Sequence, residues 1–305
     1  MDFKQKRSLL AEGLLFILAI IWGGTFVAGK VTLEAMDPYW IMVIRFFIGA
    51  SLLVFLRWED VKKINRQTFH AGVEIGLLLG VGAAFQIIGL QYTTPAQQSF
   101  IIVTYVVTVP LLSWIIYKKY PGHLILIAAF ITLIGVGFLS LNKTFTINKG
   151  DILTFIYALL FAIQMIRVGH YADKVSTSVG FTIIQLYTSG FLALLLALIF
   201  GGPVFIKPAN LSAWLGLAYL TFLNTAAAYV IQNYAQKYAR PDKSALIIST
   251  ESLFGALAAY FIAGEVFTGK KILGCLLIFV GILTAQMGPN LLKKLLSKGK
   301  IKSMS

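Results

Sequence analysis

The sequence contains a single cysteine, three histidines and only 12 acidic residues in a chain of 305. The lone Cys275 has no intrachain disulfide partner and cannot build a thiolate cluster. No HExxH, CxxC, GxSxG or Walker-type glycine loop occurs. Zinc hydrolysis, dithiol redox chemistry, nucleophile-elbow catalysis and ATP-driven transport by this chain alone therefore have no residues to rest on. No enzyme activity, metal or cofactor is expected. Charge is scarce too, at 12% of residues, where soluble domains carry about a quarter. Long linkers, low-complexity stretches and a soluble domain are also missing. In their place stand long apolar runs: 58% of residues are hydrophobic and the mean hydropathy is +0.82. Runs of about 18 or more apolar residues predict transmembrane helices. The alternating segments of about ten residues that mark a membrane barrel are not seen. The fold class is an all-α polytopic membrane protein, with the lipid bilayer as its first partner.

The runs predict ten spans, at about 9–29, 39–57, 70–91, 96–117, 122–141, 151–170, 177–201, 210–236, 243–264 and 269–289. The first follows Lys4, Lys6 and Arg7 as a signal peptide would. It is kept as a span because it is too long and lacks a cleavage site. A net charge of +14 would suggest nucleic acid in a soluble chain; here the loops explain it, and no nucleic-acid partner is expected. With both termini in the cytoplasm, 19 of the 26 basic residues fall on the inner side and six on the outer, with Arg45 inside a span. That asymmetry supports both termini inside and an even number of spans; the expected location is the plasma or inner membrane. The tail 290–305 reads as a basic cytoplasmic surface segment.

Sliding the chain on itself by 146 residues aligns 86–137 with 232–283 without a gap. The identical pairs are Gln86/Gln232, Tyr92/Tyr238, Pro95/Pro241, Ile101/Ile247, Ile102/Ile248, Thr104/Thr250, Leu111/Leu257, Ile116/Ile262 and Gly135/Gly281. Span ends coincide, and Tyr-x-x-Pro precedes the fourth helix of each half. Two five-helix repeats result, 9–141 and 150–289. An odd number of helices per repeat makes the second enter from the opposite side. Inverted repeats are a secondary-transporter architecture with a site near the midplane.

Several local patterns carry a family resemblance. Trp22-Gly23-Gly24-Thr25-Phe26 closes the first helix, and Ile44-Arg45-Phe46 follows Pro38 in the second. Gly89-Leu90-Gln91-Tyr92-Thr93 and Ser99-Phe100-Ile101 flank the turn from the third helix to the fourth. The second half has Glu251-Ser252-Leu253-Phe254-Gly255, Gly264-Glu265 and Gly274…Gly281. In these places, and over essentially its whole length, the chain resembles the EamA branch of the drug/metabolite transporter superfamily. The resemblance implies ten helices and a central cavity lined by helices 1, 3, 4, 6, 8 and 9, in a protein that usually exports small metabolites or drugs.

Glu251 is the residue the apolar pattern tolerates least. It lies about 12 Å into the ninth span at ~1.5 Å per residue, with Ile248, Gly255, Ala258 and Ala259 on its face. An intramembrane carboxylate must pair, protonate or face a cavity; structural glue between helices is the plain alternative. Its repeat counterpart is Tyr105. Arg45 is the second buried charge and the candidate partner of Glu251 or of a substrate carboxylate, with snorkelling to the outer headgroups equally open. Gln185 occupies its place in the second half. A polar stripe of Gln97, Thr104 and Thr108 in helix 4, Asn224 and Gln232 in helix 8, Gln86, Gln164 and Thr250, with Trp22 from the motif, completes the expected pathway. Each alone is more often helix glue; together they suggest a cavity. Pro110, unmatched by Ala256, predicts a kink in helix 4 only.

The reading is a secondary transporter, an exporter by family usage, of a small metabolite such as an amino acid or of drug-like compounds. It would work by alternating access around a midplane cavity, with proton coupling through Glu251 as one option. The alternative is a non-transporting membrane scaffold or sensor. The sequence is compatible with a homodimer and leaves oligomeric state open.

Overall fold

The computed structural model describes residues 3–118, 120, 122–140, 148–208, 210–239 and 241–284. The basic tail expected at 290–305 lies outside the described residues, as does the connection 141–147. All regular structure among them is helical. In chain order the helices are α1 (Phe3–Leu33), α2 (Pro38–Leu56), the short α3 (Trp58–Lys62), α4 (Arg66–Tyr92), α5 (Pro95–Ile102), α6 (Tyr105–Tyr117) and α7 (His123–Ser140). They continue with α8 (Lys149–Tyr171), α9 (Ser178–Phe200), α10 (Leu211–Ala218), a π-helical segment Tyr219–Ala227, α11 (Ala228–Ala235), α12 (Pro241–Ser249), α13 (Glu251–Phe261) and α14 (269–284).

Among the described residues, eight stretches are long and apolar enough to cross a membrane: α1, α2, α4, α5 with α6, α8, α9, α10 through α11, and α12 with α13. Within α7 the shorter apolar piece Leu126–Phe138 is found. The starts follow from local chemistry. Asp37 and Thr94 stand before Pro38 and Pro95 and accept hydrogen bonds from the Tyr39 and Gln97 amides; Asn65, Asn148 and Asn210 accept from Thr68, Gly150 and Ala213. Side-chain acceptors satisfy amides that a helix start leaves without partners, and proline at the first position forfeits none.

Packing repeats itself between the two parts of the chain. α4 lies along α8, as α1 lies along α10 and α11; α4 also meets α9, as α2 meets the π segment. The glycine ridge of α4 makes its contact possible: a side chain at Gly72, Gly76 or Gly80 would run into Ile184, Thr188 or Leu192 of α9. α7 and α14 touch each other, with Gly135 against Ile278 and Gly281 against Ala128 and Thr132. Adding 146 to one set of contacts gives the other. Their remaining faces are exposed and apolar, as at Phe130, Leu133, Leu276 and Val280.

The expected one-sided kink is not what forms. The fourth span breaks between α5 and α6 at Val103–Thr104, six residues before Pro110, and the ninth breaks at Thr250, the aligned position. Thr104 and Thr250 each turn a hydroxyl back to the carbonyl three residues earlier, Ile101 (2.8 Å) and Ile247 (2.7 Å). Their own amides bond to the same carbonyls. A side-chain hydroxyl competing for a backbone carbonyl tightens and bends a helix. The shared threonine, not the unshared proline, sets the break.

The two ends of the bundle differ. At one, the α1–α2 and α9–α10 connections join through main-chain bonds: Asp37 N–H to Val204 O, Ile206 N–H to Ala35 O, and an isolated bridge between Met36 and Phe205. Lys30 caps the carbonyls of Leu90 (2.8 Å) and Thr93 (3.0 Å) here. The opposite end carries the arginines. Arg167 and Tyr171 bond to Glu74, Lys243 pairs with Glu12, and Arg57 pairs with Asp60 at 2.6 Å. Burial raises the affinity of the Asp60 carboxyl for its proton. The Thr177 hydroxyl, the Arg57 guanidinium and the nearby Lys63 charge outweigh that, so its pKa lies below the ordinary 3.8.

Candidate functional site

The break at Thr250 makes Glu251 the first residue of α13, in the interior of the bundle. A carboxylate there faces the positive end of a half-helix. At ~1.5 Å per residue it is about 15 Å from either end of α12–α13. Glu251 is 3% exposed, and its Oε1 accepts the Tyr105 hydroxyl at 3.2 Å. Tyr105 is the first residue of α6 and fully buried. Two residues 146 positions apart, each opening a half-helix at a matched break, therefore bond to each other at the centre of the molecule.

Against Glu251 lies a small, narrow cavity. It is narrow enough that its open part is on the scale of a single water. α1 contributes Trp22, Thr25 and Phe26; α2, Arg45; α4, Gln86; α5, Ile102; α8, Tyr157 and Phe161; the π segment and α11, Asn224 and Tyr229; and α13, Glu251. The aromatic members touch in sequence. Tyr105 meets Phe161 edge-on at 5.0 Å, Phe161 meets Trp22 at 5.5 Å, and Trp22 meets Tyr229 at 5.7 Å between centroids. A second narrow void shares Thr25, Arg45 and Gln86 and continues past Gly29 and Leu90 toward the Lys30 end.

The π segment aims two polar side chains inward. Its wider turn lets the Thr225 hydroxyl donate to the carbonyl five residues back, Leu220 O, at 2.7 Å. The Thr225 oxygen then accepts Nε–H of Arg45 at 3.1 Å. Neighbouring Asn224 accepts the Thr25 hydroxyl at 2.7 Å. π turns inside α-helices concentrate at functional sites. Arg45 is 2% exposed, with its guanidinium 4.9 Å from the Phe46 ring centre. It turns into the bundle rather than to the outer headgroups. Among the described residues no salt bridge joins it to Glu251, so the direct pairing that was one of its expected roles is not formed.

Of the residues expected along a pathway, Glu251, Trp22, Gln86, Asn224 and Arg45 line the cavity, with Tyr105 bonded to Glu251. Gln164 and Gln232 face each other elsewhere, Gln232 Nε2 to Gln164 Oε1 at 3.3 Å, and bridge α8 to α11. Thr104, Thr108 and Thr250 direct their hydroxyls to carbonyls of their own helices, Thr108 to Thr104 O at 2.9 Å. Gln97 bonds Asp151 at 2.6 Å, with Thr93 at 2.7 Å on the other carboxylate oxygen, toward the Lys30 end. The stripe of Gln97, Thr104 and Thr108 assumed one continuous helix; the break at 103–104 changes the phase and separates them. Thr25, Phe161, Thr225 and Tyr229 were not expected as site residues. Thr25 lies inside a motif and was within reach; Thr225 depends on the π turn, which leaves no periodic trace.

The model of the EamA-like transporter family matches residues 9–141 and 148–286. A protein of Archaeoglobus fulgidus called an uncharacterized transporter is 30% identical over 282 residues, covering 92% of this chain and 87% of its own. Another, the uncharacterized transporter YyaM of Bacillus subtilis, is 23% identical over 283 residues, covering 89% and 92%. A crystal structure with 16% sequence identity shares the fold, at a TM-score of 0.69 over 92% of this chain and 98% of that one.

Proposed function

The chain belongs to the EamA-like transporter family and is a multi-pass membrane transporter, and from that premise we propose a secondary active exporter of small metabolites that works by alternating access. In this reading α7 and α14 cross the bilayer with the eight longer spans. The ten crossings form two inverted five-helix units, 9–141 and 150–289, with both termini in the cytoplasm. The arginine-rich end faces inward, as positive charge favours. The paired helix contacts and the matched breaks at Thr104 and Thr250 support the two-unit reading. Glu251 is the substrate-contacting or proton-carrying acid at the midplane.

The observation that carries this reading is the Tyr105–Glu251 hydrogen bond. It spans the two units at the residues where their broken helices restart, against a cavity lined from seven spans. A carboxylate kept at that depth must pair, protonate or face a cavity, and Glu251 both pairs with Tyr105 and faces a cavity. The test is transport by the full-length protein in proteoliposomes, with an imposed pH gradient and a labelled mixture of amino acids and cationic dyes inside. Wild-type protein releases at least one compound and Glu251→Gln does not, while both unfold at similar temperatures. Equal release by the variant removes Glu251 from the mechanism. Gradient-independent release removes proton coupling. No release of any compound by wild-type protein favours the non-transporting reading.

A further inference from the structure

The Tyr-x-x-Pro motif of each half takes no part in the central site, yet its surroundings recur at opposite ends of the bundle. An offset of 139 residues lays Glu12–Trp22 of α1 on Asp151–Phe161 of α8. Leu14, Phe16, Ile17 and Ala19 recur as Leu153, Phe155, Ile156 and Ala158, and the acid recurs as an acid. The fourth helices correspond at 146, so Tyr92 matches Tyr238 and Gln97 matches Lys243. The contacts obey both offsets at once. Gln97 donates to the Asp151 carboxylate at 2.6 Å, and Lys243 donates to that of Glu12. A hydroxyl adds a second donor to each acid, Thr93 at 2.7 Å and Ser8 at 3.0 Å. Lys149 lies 4.7 Å from the centre of the Tyr92 ring, and Arg7 lies 5.4 Å from that of Tyr238. Every one of these ring and carboxylate contacts except Ser8 joins the fourth-helix region of one half to the first helix of the other.

We propose that these contacts are two matched latches, one at the Lys30 end and one at the arginine-rich end, which open in turn. Each acid stands ten residues from the Trp22–Phe161 contact, about 15 Å at ~1.5 Å per residue. The latches therefore close the molecule at equal depths on either side of the cavity. The part that moves is a short half-helix. α5 carries Gln97 in its first turn and ends at the Thr104 break; α12 carries Lys243 in its first turn and ends at the Thr250 break. A swing of either half-helix about its break releases the latch and leaves Tyr105 or Glu251, beyond the break, in place. The chemistry of the two differs as it does at the centre: a carboxylate–amide bond at one end, an ion pair at the other. The part the latches play in traffic rests on the transporter reading; that they fasten one half to the other rests on the contacts alone.

The experiment starts from full-length protein carrying Cys275→Ala and introduces cysteines in pairs, Gln97→Cys with Asp151→Cys, and Glu12→Cys with Lys243→Cys. A short bis-methanethiosulfonate linker bridges each pair, mass spectrometry confirms the bridge, and dithiothreitol releases it. In proteoliposomes loaded with the labelled amino acids and cationic dyes, either bridge is expected to stop release, and reduction to restore it. Recovery on reduction separates a locked latch from lost folding. Hydrogen exchange of the same proteins in detergent needs no substrate. A bridge at one end should speed exchange in the half-helix of the other, α5 or α12, by about 5–150-fold. Release that continues through a formed bridge, a pair that does not bridge, or unchanged exchange at the far end each overturns the proposal. The two readings stay separable. Coupled exchange in a protein that releases nothing keeps the latches and removes the transporter, whereas release indifferent to both bridges does the opposite.

Discussion

The two halves of the molecule share one set of bends and differ in what they place there. Each breaks a long helix at the same threonine, and each restarts it with the residue nearest the centre. In the first half that residue is Tyr105, a neutral donor; in the second it is Glu251, an acceptor. The same inequality recurs at Arg45 and Gln185. It recurs again in the long helices: α4 is regular throughout, and its counterpart carries the π segment that holds Thr225 against Arg45. The bends and the helix contacts are duplicated; the π segment and the side chains at the centre are not. In the alternating-access mechanism proposed above, the matched bends are what would let the two halves exchange roles, and the unequal side chains are what would leave a single site.

The sharpest way to break that comparison is at the central pair. Glu251→Gln is expected to abolish proton-driven flux, whereas Tyr105→Phe should lower it about 10–100-fold, the value of one hydrogen bond to a charged group. Flux measured side by side decides whether the halves contribute unequally; equal losses would make the pair a simple tether. Next come the two glycines on which α7 and α14 meet. Gly135→Leu and Gly281→Leu should each cost about 1–3 kcal/mol of stability through overpacking, by matching amounts, because each meets its partner helix in the same way. Unequal unfolding temperatures would show that the duplication of backbone contacts is incomplete. A comparable effect is expected at Thr225→Val, which strips Arg45 of its protein acceptor and should cost about 1–3 kcal/mol. Gln185→Leu, in the neutral counterpart, should cost less, since Asn233 keeps Thr182 at 2.8 Å.

The smallest effect lies outside the spans. The Asp60 carboxyl has its pKa below 3.8 in the folded protein, so it contributes stability above that value. The contribution fades as pH falls from 3.8 through the lower folded value. Asp60→Asn should therefore be slightly less stable than wild type at neutral pH, with the gap closing only in strong acid. Unfolding temperatures of both proteins across that range check it. A gap that persists in strong acid would assign the role of Asp60 to packing.

Much of this arrangement can be read from the residues alone. Long apolar runs locate the helices because a bilayer leaves the backbone few other options. The 146-residue offset is legible in Ile101-Ile102-x-Thr104 and Ile247-Ile248-x-Thr250, the same residues that set the breaks. The bend itself was credited to Pro110, since proline has the stronger local signal; the threonine effect needs the hydroxyl to find its own helix carbonyl. Arg45 could not be oriented from sequence because a helix wheel does not say whether its face meets lipid or bundle. The π segment is invisible for a similar reason. One extra residue per turn is accommodated by neighbouring helices, and Asn224, Ala228 and Gln232 still fall at ordinary helical spacing.

The small backbone joint at the Lys30 end reaches further than its size suggests. Met36 and Phe205 are paired, and Asp37, Val204, Ala35 and Ile206 exchange main-chain hydrogen bonds. That stitches the turn after α1 to the turn before α10. The seam's main-chain bonds have no side-chain author, so an alanine scan would report only the side-chain bonds that Asp37 and Trp40 add to Gly202 beside them. Its real vulnerability is arithmetic: removing or adding one residue between α9 and α10 would put every donor opposite the wrong acceptor. The two halves of the chain would then lose a fastening that no single side chain supplies.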